Sequence, residues 1–144
     1  MDGPITGNAR ALAVLVHASP VLLGLPLYVA IFSLGGGMLV FFFPGVFMVV
    51  AGLLVALIAR LFSPPGFVRT EAAGSLRFHG IVALAALVVL VLVFTALFGG
   101  AYMGAAASGA MLLGVLLPLL ELARAVMYGI GAARAPHVPP LPGG

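Results

Sequence analysis

No cysteine occurs in the 144-residue sequence, so disulfides, thiolate metal sites and a cysteine nucleophile are excluded. Charge is nearly as scarce. Charged residues make up 6% of the chain, where a soluble domain carries about 25%. The acids are Asp2, Glu71 and Glu121, the histidines are His17, His79 and His137, and all six bases are arginine. The sequence pI of about 10.2 comes from the shortage of acids. Net charge is only +3, and the arginines are scattered rather than clustered into the basic face that nucleic acid requires. The motifs H-E-x-x-H, P-loop, G-x-S-x-G and EF-hand are missing. Three acids and three histidines leave too few groups for a self-contained enzyme site, and neither a metal nor a cofactor is expected.

Apolar residues, in contrast, make up 64% of the chain, against roughly 45–50% in soluble proteins. A soluble domain of this size could not cover that much apolar surface. Two tracts lack Asp, Glu, Lys and Arg altogether, from Ala11 to Ala59 and from Phe78 to Leu120. One membrane span needs about 20 residues, so each tract fits two spans and a turn. Gly35-Gly36-Gly37 divides the first tract and Gly99-Gly100 the second. The expected fold is all-α and polytopic, with four transmembrane helices as two hairpins, at about 10–34, 38–62, 76–98 and 110–133. They form one domain over residues 10–133, between an N-terminal segment 1–9 and a Pro-rich tail 134–144. Pro44 offers helix two a second start, with Phe41, Phe42 and Phe43 as a lead-in at the membrane boundary. Pro20, Pro26 and Pro118 are expected to bend helices one and four. The leader lacks a basic residue and the apolar run behind it is long, which favours a retained anchor over a cleaved signal.

Four spans place Arg10, Arg60, Arg69, Arg77, Arg124 and Arg134 on one side of the bilayer and leave the opposite turns free of them. The positive-inside rule makes that side cytoplasmic, with both termini on it. Between helices two and three, Ser63-Pro64-Pro65-Gly66 ends one helix. The segment from Phe67 to His79 then places Val68, Ala72, Leu76 and His79 on one face and Arg69 and Arg77 on another. This pattern predicts a short amphipathic helix in the interface, marked by Phe67, Arg69, Arg77, Phe78 and His79. The plainer reading is a loop whose arginines set topology.

The chain also resembles a family of small bacterial four-helix membrane proteins of unknown function. The shared features are an early His-bearing helix, here Leu12 to Ser19 with His17; a middle segment of the type F-V-x-x-(Q/H)-x-x-x-(A/S)-L-x-(F/W)-(Q/H), here Phe67-Val68, Ser75-Leu76 and Phe78-His79; and a closing helix ending in a Pro-containing tail, here Ala132-Ala133-Arg134 with His137-Val138-Pro139. Glu71 stands where that family usually has Gln or His. The family has been likened to the channel-type Tic translocon subunit of the chloroplast inner envelope. The resemblance therefore implies a four-helix topology, a bacterial plasma membrane as the location and a place in a translocation-type complex.

Glu121 and Arg124 lie three apart in helix four and so share a face. A lone charge at mid-membrane costs roughly 2.5–3.5 kcal/mol on insertion scales. An intrahelical ion pair is the plain reading, and a proton- or cation-handling carboxylate the functional one. Ala125 and Gly129 continue the Glu121 row, and Gly45, Gly52 and Ala56 form a second small-residue row on helix two. Such rows allow close helix packing. Gly100 to Gly104 matches G-x-x-x-G but falls in a predicted turn. His17 is about 10 Å from Arg10 along its helix at 1.5 Å per residue, a depth that also suits Glu121, so a His17–Glu121 hydrogen bond is a candidate. The alternative is a His17 bonded to a backbone carbonyl freed by Pro20 or Pro26. A haem held by His17 and His79 is the weakest reading.

Taken together, these features favour an interaction or assembly component, with the bilayer and a membrane-protein partner or second copy as its surroundings. The alternative is a small transporter or channel subunit that titrates Glu121 with help from His17.

Overall fold

Helix formation follows from the apolar tracts, because a backbone in lipid must satisfy its own hydrogen bonds. The computed structural model describes residues 5–35, 39–98 and 108–135. Within them lie four helices long and apolar enough to cross a membrane: α1 (Gly7–Ser33), α2 (Leu39–Phe62), α3 (Phe67–Phe98) and α4 (Ser108–Arg134). No strand occurs among the described residues. The Gly36-Gly37 and Gly99-Gly100 turns, the G-x-x-x-G stretch and the tail beyond Ala135 lie outside them.

Local signals set the ends. The Ala9 N–H donates to Thr6 Oγ1 at 3.2 Å, an N-cap for α1. The Leu34 N–H closes the last turn on the Ala30 carbonyl, and Gly35 follows with φ +69°, the left-handed position that glycine fills without strain. α1 continues unbroken through Pro20 and Pro26. α2 begins at Leu39, ahead of Pro44. Gly66, at φ +138°, ends the turn into α3, where the Thr70 N–H donates to its carbonyl.

Two local expectations change. The segment expected as a separate amphipathic helix is the first part of α3, which runs unbroken from Phe67. The polar residues there still permit helix, and no glycine or proline pair separates them from the apolar part. The fourth helix contains a π turn at Leu112–Leu116, where the Leu117 N–H reaches back to the Leu112 carbonyl. Pro118 follows immediately and has no N–H to give to residue 114, so the widened turn absorbs the mismatch.

Contact pairs fix the arrangement. Gly24 meets Met48, Gly52 meets His79, and Gly109 meets Val93. Each helix therefore packs against the next along the chain. α2 packs against both α1 and α3, while the lower part of α4 packs on α1. α3 and α4 approach each other at Gly109 and at the π turn. Two small cores result. Val16, Ala56, Ala59 and Ala72 join α1, α2 and α3; Val49, Ala86, Leu113 and Leu117 join α2, α3 and α4. The outside is apolar, with Ile81, Leu84 and Leu92 more than 60% exposed. In water such a surface would associate; in lipid it is the expected exterior.

Candidate functional site

The interior is polar where the cores are apolar. Ser75, His79, Glu121, His17 and Arg124 are all buried, none more than 4% exposed. Glu71, Ser75 and His79 stand four residues apart, so α3 presents them along one face. α1 contributes His17 and α4 contributes Glu121, Arg124 and Tyr128.

Two carboxylate–imidazole pairs form. His17 Nε2 donates to Glu71 Oε2 at 2.9 Å, with Glu71 partly open to the outside. His79 Nε2 lies 3.0 Å from Glu121 Oε2, and both side chains are fully buried. His79 Nδ1 lies 2.8 Å from the Ser75 carbonyl oxygen, with Ser75 Oγ at 3.3 Å. Either Nδ1–H donates to the carbonyl, or a bare Nδ1 accepts from the Ser75 hydroxyl. In the first case Nε2 bonds Glu121 through a second proton. Either an imidazolium donates to a carboxylate, or a carboxylic acid donates to the ring. In both forms the pair holds that extra proton and has no net charge, which lowers the penalty of placing it in the interior.

Arg124 lies between the two pairs. Its guanidinium carbon is 4.4 Å from the centre of the Phe78 ring and 5.3 Å from that of Tyr128, distances at which an aromatic face attracts a cation. The Tyr128 ring in turn lies 5.5 Å from His17, and Phe78 meets His79 edge-on at 5.4 Å. A continuous run of polar and aromatic groups thus leads from Glu71 through His17, Tyr128, Arg124, Phe78 and His79 to Glu121. Three buried atoms along it have no hydrogen-bond partner: His17 Nδ1, Arg124 Nη1 and Glu121 Oε1. A buried polar atom left unpaired is costly, so these atoms mark where a proton, water or solute would gain most.

The residues singled out from the sequence are placed unevenly. His17, Glu121 and Arg124 do share one polar layer. The His17–Glu121 hydrogen bond does not form, because each takes a different partner. Similar depth along two helices says nothing of the direction in which each side chain points. The Glu121–Arg124 ion pair is also missing: Arg124 turns to Phe78 and Tyr128 instead. His79, placed in the interface by the sequence, is a core residue, and Phe78 lies under a cation. Arg69 and Arg77 do face outward, with Phe67 partly covered. Gly45, Gly52 and Ala56 are buried in packing positions, Gly45 touching the Leu113 carbonyl and Gly52 the His79 ring. Ala125 is partly buried. Gly129 is buried, and nothing lies within 4 Å of where a Cβ would stand.

Glu71 is the functional residue that sequence reasoning missed. The four-residue spacing of Glu71, Ser75 and His79 was the available signal. Both described histidines commit Nε2 to a carboxylate, so the arrangement in which both rings face one haem is not the one formed. Among the described residues no group of three or more His, Asp or Glu is placed to hold a metal ion. In comparisons with family models, curated proteins and solved structures, nothing matches this chain.

Proposed function

We propose that this chain is a small transporter or channel subunit whose interior takes up and releases protons, with Glu121 as the titrating group. The observation that carries the reading is the His79–Glu121 pair. Its hydrogen bond holds a proton between Nε2 and Oε2, inside a helix bundle that is apolar outside. Ionisable groups within membrane spans are costly and mark ion or proton routes by default. The His17–Glu71 pair, with its carboxylate partly exposed, supplies a second station toward the outside. The two pairs divide the roles that the sequence reading gave to Glu121 and His17 together.

In this reading the helices insert as two hairpins into a bacterial plasma membrane, with the arginine-bearing loop and both termini cytoplasmic. The first turn of α3 starts at the interface, on the arginine-bearing side. Purified protein in liposomes containing a trapped pH-sensitive dye tests the proposal. An imposed potential should drive proton entry, and Glu121→Gln should abolish it. Equal flux in wild type and variant would overturn it.

A second reading, an assembly component of a translocation-type complex, is favoured by the exposed apolar row Leu119, Leu122 and Val126 of α4. A helix from outside the bundle could cover that row as lipid would. The resemblance to the family likened to the Tic subunit accords with it. A partner co-purifying in mild detergent, and lost with Leu122→Ala and Val126→Ala together, would support this reading.

A further inference from the structure

A different region of the molecule carries its own chemistry. At the junction of α2 and α3 a groove of about 560 Å³ opens outward, lined by Arg60, Arg69 and Arg77 together with Gly66, Thr70 and Gly74. We propose that this groove binds the phosphate of an anionic phospholipid.

Three features point there. The guanidinium groups come from both sides of the turn, Arg60 from the end of α2 and Arg69 and Arg77 from one face of α3. Neither described carboxylate neutralises them, since Glu71 is held by His17 and Glu121 by His79. The groove also lacks bulk: nothing lies within 4 Å of where a Cβ of Gly66 or Gly74 would stand. An oxyanion can therefore approach the start of α3, where the first N–H groups and the helix dipole favour negative charge. Arginine suits the role because its planar fork matches phosphate oxygens.

The neighbourhood selects a lipid over a soluble anion. Leu61 and Phe62 directly follow Arg60 and are 65% and 82% exposed. A ligand with a phosphate head and apolar chains satisfies the arginines and these side chains together. Free phosphate satisfies only the arginines. The assignment does not depend on the proton reading.

Native mass spectrometry of the full chain, purified from micelles containing equal amounts of phosphatidylglycerol and phosphatidylcholine, tests it. The wild type should retain phosphatidylglycerol in preference. Each of Arg60→Gln, Arg69→Gln and Arg77→Gln should weaken the preference by about five-fold, the factor expected for one basic residue at an anionic membrane surface. Arg134→Gln, outside the groove, should leave it unchanged. Unaltered helix content by circular dichroism separates loss of binding from loss of fold. Equal retention of the two lipids by wild type would overturn the proposal. So would a triple variant that keeps the preference, or displacement of the lipid by millimolar inorganic phosphate.

Discussion

Gly52 of α2 lies directly against the His79 imidazole, and no side chain fits between them. The helix–helix approach and the His79–Glu121 bond therefore depend on the same missing Cβ. Gly52→Ala should move the ring away from Glu121 and destabilise the bundle by about 1–3 kcal/mol, the usual range for an overpacked core. Thermal unfolding in detergent measures the loss. Nitrogen NMR of labelled histidine should report the change in His79 hydrogen bonding.

Glu121→Ala and Glu121→Gln should separate clearly. Alanine leaves the buried His79 Nε2 without a partner, at a cost of about 1–3 kcal/mol before any cavity contribution. Glutamine can donate an amide N–H to Nε2 and should fold nearly as well as wild type. It should still lose any proton uptake, because an amide does not titrate. Unfolding curves for the two variants, beside the flux assay, distinguish a structural from a proton-handling loss.

Much of the fold was legible before the structure, and the site was not. Four spans could be read from the charge-free tracts because lipid leaves the backbone no alternative to helix, and the first two helices fall within a few residues of their expected bounds. α3 begins earlier than expected, at Phe67, because charge near a span end was taken as a boundary signal although it does not break a helix. The polar partners depend on azimuth, which depth along an axis does not contain. Glu121 could meet His79 rather than His17 only once the rotation of α4 was known. Arg124 was expected to turn back on Glu121, but two aromatic faces compete for its guanidinium.

The pairing also predicts where energetic coupling lies. A double-mutant cycle of His17→Ala with Glu71→Ala should give a coupling of roughly 0.5–3 kcal/mol, the range for residues in contact. The cycle of His17→Ala with Glu121→Ala should be closer to additive. A larger coupling in the second cycle would contradict the geometry.

Arg124 offers a test of its aromatic setting. Arg124→Lys keeps the charge but replaces a planar cation with a compact ammonium that stacks less well on Phe78 and Tyr128. A loss of about 0.5–2 kcal/mol is expected. Phe78→Leu should remove much of the same stabilisation, and the two changes together should cost less than their sum. Unfolding of the four proteins under one condition provides the comparison.

Because the chain has no cysteine, single introduced thiols can report its topology. Leu34, at the end of α1, and Thr70, at the start of α3, are both exposed. In intact cells a membrane-impermeant maleimide should label Leu34→Cys from outside. Thr70→Cys should react only after the membrane is opened. Labelling of both from the same side would contradict the four-span reading.

The π turn ahead of Pro118 has a consequence for orientation. In a helix of 3.6 residues per turn, each step of four residues drifts by about 40°. Leu113, Leu117 and Glu121 are nevertheless all buried at four-residue steps, because the wider turn takes up part of that drift. Excising one residue between Leu112 and Leu116 would swing everything downstream by about 100°, aiming the Glu121 carboxylate at lipid. Composition and hydropathy would scarcely change. One extra residue thus acts as the angular setting of the carboxylate.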